Sequence, residues 1–169
     1  MAAERVIPPL EAGERQMLSA WLDLQRATLA MKCDGLSDEQ LREQAVPPSS
    51  LSLLGLVRHM AEVERNWFRP LLAGEDMGGL WAPGPKLDAE AAFDEVATAD
   101  VAIAFAAWRA ECDKARALVE AAESLDVTGM RGGTQFSLRW VMVHMIEEYA
   151  RHNGHADLLR ERIDGSTGA

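Results

Sequence analysis

The chain has 169 residues, the length of one ordinary domain able to bury a sizeable core. Hydrophobic residues make up 48% and charged residues 26%, the balance of a globular protein, and the net charge is -10. That acidity, with no Lys/Arg cluster, argues against a nucleic-acid-binding face, and no segment approaches the roughly 20 apolar residues of a membrane span.

The amino terminus leads from Met1 to Pro8-Pro9 without an apolar signal region, which predicts a cytoplasmic protein. A 3.6-residue period predicts a first helix over about 11–33, with Met17, Trp21, Leu24, Thr28 and Met31 on one face, Leu18, Leu22 and Leu29 beside it, and Gly35 as its stop. Ser37-Asp38-Glu39-Gln40 predicts a short capped turn, and Pro47-Pro48 breaks the chain. A second long helix is predicted from Ser52, as N-cap, to about Ala73, ended by Gly74; its apolar stripe is Leu56, Met60, Val63 and Trp67.

Residues 74–87 are rich in Gly and Pro and form a long crossover, with Trp81 as a candidate lid or substrate contact. The third long helix is expected over about 98–123, preceded by a short turn from Asp88. Its repeat is Val101, Phe105, Trp108, Cys112, Ala115 and Val119. Residues 129–133 are expected as a loop, and no segment shows a convincing period of two. The last helix is expected from about Ser137 to Ile163. The expected fold is all-α, a four-helix bundle with a long crossover, one domain over 1–169 with flexible ends at about 1–10 and 165–169.

The cysteines, Cys33 and Cys112, lie far apart in helical patterns and are expected as reduced core residues. Trp21, Trp67, Trp108 and Trp140 are at helical spacing and are expected in the core too.

The last helix breaks its own pattern. Between Val141, Met145 and Leu159 its inward stripe places Glu148 and His152, followed by His155. At 100° per residue the first two lie within about 40° of each other. A core-facing carboxylate is costly unless it is paired or coordinates a metal, and i, i+4 spacing suits two side chains on one ion. An imidazole and a carboxylate suit zinc, nickel, iron or manganese. Of the four histidines, only His59 lies on another long helix, so it is the candidate third ligand. A buried Glu–His ion pair and a satisfied core histidine are the plainer alternatives.

Gly55-Leu-Val-Arg-His59-Met-Ala-Glu-Val-Glu-Arg-Asn-Trp67-Phe resembles the second-helix motif of the DinB-like superfamily. His144-Met-Ile-Glu-Glu148-Tyr-Ala-Arg-His152-Asn-Gly-His155 resembles its last-helix motif. The closest likeness is to the branch found in bacteria that make mycothiol. Most of the superfamily reads His-x-x-x-His-x-Gly-Gln in the last helix; here Glu148 replaces the first His and His155 the Gln. Mycothiol-dependent maleylpyruvate isomerases are similar in using a Glu at that position.

The resemblance implies His59, Glu148 and His152 as ligands of a divalent ion, zinc first. It implies mycothiol as co-substrate in an S-transferase or isomerase acting on small electrophiles, and pairing as a homodimer. A hydrolase on the same metal, or a non-catalytic metal-binding stress module, are the alternatives. His155 is the candidate for moving a proton, with His144 beside the site. Trp81, Arg26 and Arg151 are the candidate substrate contacts, and Lys32 and Arg139 are further cations that could meet carboxylates.

Overall fold

The computed structural model describes residues 4–75, 78–81 and 91–168. It is an all-α helical bundle with a small two-stranded sheet: α1 (Glu14–Cys33), α2 (Asp38–Arg42), α3 (Leu53–Ala73), α4 (Val101–Ala121), β1 (Thr128–Arg131), β2 (Thr134–Ser137) and α5 (Leu138–Asp164). The chain divides into two compact units, residues 1–56 with 142–169, and residues 57–141; both boundaries fall inside continuous helices.

Local chemistry sets the helix ends close to where the sequence predicts them. At α2, Ser37 Oγ accepts from Gln40 N–H and Gln40 Oε1 accepts from Ser37 N–H, a capping box. At α3, Ser52 Oγ accepts from Gly55 N–H at 3.1 Å. Gly74, just past its end, has φ +64°, a conformation that costs other residues energy. Asp100 caps α4 by accepting from Ile103 N–H. The turn expected from Asp88 begins outside the described residues; residues 91–98 are turns in which Ala91, Ala92 and Val96 are buried.

In the first unit, α1 buries Leu22, Arg26, Leu29 and Cys33. Leu22 and Leu29, expected beside the predicted face, are the buried ones; Met17, Leu24, Thr28 and Met31 are half-buried, and Trp21 is exposed. The long stems of Arg26 and Lys32 bury while their heads reach Asp23 and Asp157, so two charged residues serve as packing surface. On α5, Arg160 Nη1 donates to the carbonyls of Lys32 and Asp34, and Asn153 Nδ2 donates to the Gln25 carbonyl and Oε1. The Arg160 bonds satisfy backbone groups at the carboxyl end of α1. Tyr149, Met142, Met145 and Leu159 of α5 are fully buried, together with Leu53, Leu54 and Leu56 at the start of α3.

In the second unit, α4 buries Ala104, Trp108, Glu111, Cys112, Ala115 and Val119, close to the predicted repeat. Glu111 is buried against two arginines of α3: Arg69 Nε donates to it at 2.7 Å and Arg65 Nη1 at 3.2 Å. The bridge between a helix of mostly apolar contacts and this acid is therefore fully paired.

The segment expected as a loop at 129–133 is a β-hairpin, which corrects the sequence reading. The paired strands are four residues each, too short for an alternation to emerge. Gly132 and Gly133, at φ +57° and +81°, form the tight two-residue turn between them. No helix among the described residues is long and apolar enough to cross a membrane.

Candidate metal centre

Ser137 Oγ accepts from Trp140 N–H at 3.2 Å and so starts α5 at a fixed phase. From that start the buried positions run through Val141, Met145, Tyr149, Ala156 and Leu159. Glu148 and His152 flank this stripe one turn apart, both half-buried. Glu148 Oε2 lies 3.4 Å from His152 Nε2, and its Oε1 lies 3.7 Å from His144 Nε2. The carboxylate is thus bracketed by imidazoles on both sides.

His152 is the better defined of the two rings. Burial, and then the nearby His155 and Arg151, push its pKa down to about 4; Glu147 acts the other way and is outweighed. At neutral pH it is an uncharged imidazole, the form that ligates metals. Its Nδ1 lies 3.4 Å from His155 Nδ1. Which of these two nitrogens donates depends on the tautomer; a cation on Nε2 would leave the proton on Nδ1, with His155 as its acceptor.

The donor set fits a divalent ion. Two ligand atoms each about 2.1 Å from a tetrahedral zinc stand about 3.4 Å apart, the separation found between Glu148 Oε2 and His152 Nε2. His144, Glu147 and Glu148 form a second set of side chains on α5 able to hold an ion. Glu147 is exposed and also bonds Arg151 at 2.9 Å, which favours the His152 side.

His59 is half-buried on α3, where Leu56, Val57, Met60 and Ala61 around it have no exposed surface. Its ring stacks on Phe93, with centroids 5.4 Å apart and planes 28° apart. The preceding residue ties the crossover to this turn of α3. Arg58 donates to the carbonyls of Asp94 and Ala91, its guanidinium covers the Trp81 ring at 4.8 Å, and Trp81 Nε1 donates to the Arg58 carbonyl at 2.8 Å.

The family model for mycothiol-S-transferases matches residues 17–165. The chain belongs to that family. No curated protein matches it. The match spans all five helices but the first three residues of α1, and it includes every residue of the site. Membership supports a mycothiol-related transferase at the level of the family.

The remaining candidates fall as follows. Arg26 is 5% exposed and paired with Asp23; Arg151 is exposed and paired with Glu147; Arg139 is paired with Asp126. Cys33 and Cys112 are buried and not joined in a disulfide, as expected. Trp108 is in the core and Trp67 half-buried, but Trp21 and Trp140 are exposed, which corrects their expected burial. Phe93 and Arg58 were not singled out in the sequence. Phe93 follows a segment without periodic signal, and Arg58 reads as an ordinary solvated charge until its two backbone acceptors are seen.

Proposed function

We propose that the protein is a metal-dependent S-transferase that joins mycothiol to small electrophiles, with His59, Glu148 and His152 as ligands of one divalent ion. The Glu148–His152 pair, spaced like two ligands of a tetrahedral ion within a chain of this family, is the observation that carries the reading. The His152 imidazole and the Glu148 carboxyl group make a donor set suited to zinc, with nickel, iron and manganese as alternatives.

A bound divalent ion supplies the positive charge that keeps a thiol ionised near neutral pH. The proton lost from the thiol passes to His155 or to solvent. The sulfur then forms a bond to the electrophilic carbon, and either a leaving group departs with its electron pair or an alkene carbon takes up a proton. No protein nucleophile takes part. Trp81, Arg26 and Arg151 are the proposed substrate contacts. Isomerisation through a reversible thiol adduct uses the same groups. In the same reading the protein acts in the cytoplasm as a homodimer.

The test is turnover of monochlorobimane with purified protein, zinc and mycothiol. Conjugate formation that needs both metal and thiol is the expected result. Hydrolysis without thiol would make the protein a hydrolase of this fold, and absence of any conjugate would remove the transferase reading.

A further inference from the structure

The hairpin holds a charged side chain where its inward face calls for apolar ones. The pairing of β1 with β2 puts Gly129 opposite Phe136 and Arg131 opposite Thr134, so these four share one face. That face is turned to α3. A Cβ on Gly129 would lie 2.3 Å from the Leu71 carbonyl oxygen, and Phe136 meets the Trp67 ring edge-on at 5.2 Å. Arg131 stands on the same face with its guanidinium 4.0 Å from the Trp67 ring centre. Trp140 closes the group, 5.3 Å from Trp67 and 4.8 Å from Phe136.

Arg131 differs from the other half-buried arginines of this unit. Arg65 and Arg69 are both bonded to Glu111. Arg131 meets no protein acceptor among the described residues, and its Nε is buried without a partner. Burial alone acts on it, with no carboxylate to offset the desolvation. This happens in a chain with 27 acidic side chains against 17 basic ones, where an acid partner would be easily found. Trp140, packed on Trp67 and Phe136, is 46% exposed. A half-buried cation whose Nε has no protein partner, set over an aromatic ring, suits an anion with a flat apolar body.

We propose that Arg131, Trp67, Phe136 and Trp140 form a binding site for a small organic carboxylate with a planar apolar body. The carboxylate accepts hydrogen bonds from Arg131, and the body lies against Trp140 and Phe136. Trp67 follows His59 by roughly two turns of α3, about 12 Å along its axis, so the ligand held here is not a ligand of the metal. The proposal stands independently of the thiol-transfer reading. The competing view is that Arg131 is a strut, covering the Trp67 face by a cation–π contact and nothing more. The two differ in whether ligand charge matters.

Calorimetric titration of the purified protein with trans-cinnamate and with its neutral amide, cinnamamide, separates them. The acid is expected to bind about tenfold tighter than the amide, the margin of a charge-assisted hydrogen bond. Arg131→Gln should bring cinnamate down to the amide's level, Trp140→Leu should weaken it, and Glu148→Gln should leave it unchanged. Equal affinity for acid and amide would overturn the site, as would cinnamate binding that survives Arg131→Gln or is lost in Glu148→Gln. If Arg131→Gln fails to fold, the acid–amide comparison on the wild-type protein still decides.

Discussion

Glu148 and His152 face each other across one turn of α5, with Oε2 of the acid 3.4 Å from Nε2 of the imidazole. A carboxylate that close to a histidine would ordinarily raise the ring's pKa. Here burial dominates and the ring stays neutral, so the contact is no strong ion pair. In metal-free protein the neutral ring can donate Nε2–H to the carboxylate, and a cation between the two would replace that proton.

The depressed pKa of His152 has a consequence for metal-free protein. The folded ring titrates near 4 and the unfolded one near 6.5. Between these values the unfolded chain binds a proton that the native one does not, so stability falls as the pH falls through this window. Above about pH 6.5 the contribution is complete. Thermal melts at pH 7, 5.5 and 4.5 should show a decline that is shallower in His152→Asn; equal slopes would contradict the assignment.

Burial pushes the Cys33 thiol up to about 12, outweighing the nearby Arg160. At pH 8 almost none of it is thiolate, so it is a poor nucleophile. Native protein should therefore react with a disulfide reagent only on unfolding, at Cys112 as at Cys33, since both are buried. Cysteine-free Cys33→Ala/Cys112→Ala protein that still folds should keep its transferase activity. Loss of turnover in such folded protein would point to a protein thiol in the reaction.

The hairpin depends on Gly129. A side chain there would meet the Leu71 backbone, which has nowhere to move inside α3. Gly129→Ala is expected to cost about 1–3 kcal/mol by overpacking, read as a lowered Tm. Gly154, whose Cβ would meet nothing within 4 Å, is the matched control. Gly154→Ala removes a glycine from a helix interior and should be neutral or stabilising by up to about 1 kcal/mol.

The helix ends were legible because their chemistry is local: a Ser-x-x-Gln box at α2, Ser52 before α3 and Gly74 behind it. Glu148 and His152 stood out in the sequence as a break in an apolar stripe; in the structure they flank that stripe, half-buried, and Tyr149 takes the buried position. The α1 face was legible only in part, through Leu22 and Leu29. Arg26 and Lys32 count as polar in any pattern, yet their aliphatic stems bury on it. The hairpin was hidden for a different reason: four-residue strands give too few positions for alternation to show, and Gly132-Gly133 reads as an open loop as readily as a tight turn. The clasp that Arg58 makes on the crossover depends on backbone carbonyls far along the chain, for which side-chain type carries no signal.

Metal content is the most direct measure of the central assignment. Protein purified without a nickel column, wild type and the His59→Ala, Glu148→Ala and His152→Ala variants, is analysed for bound elements after checking that each is folded. About one equivalent of a divalent metal in the wild type, lost in all three variants, is the predicted result. A wild type that stays empty when supplied with metal, or variants that keep it, would contradict the ligand set and leave Glu148 as a half-buried partner of His144 and His152.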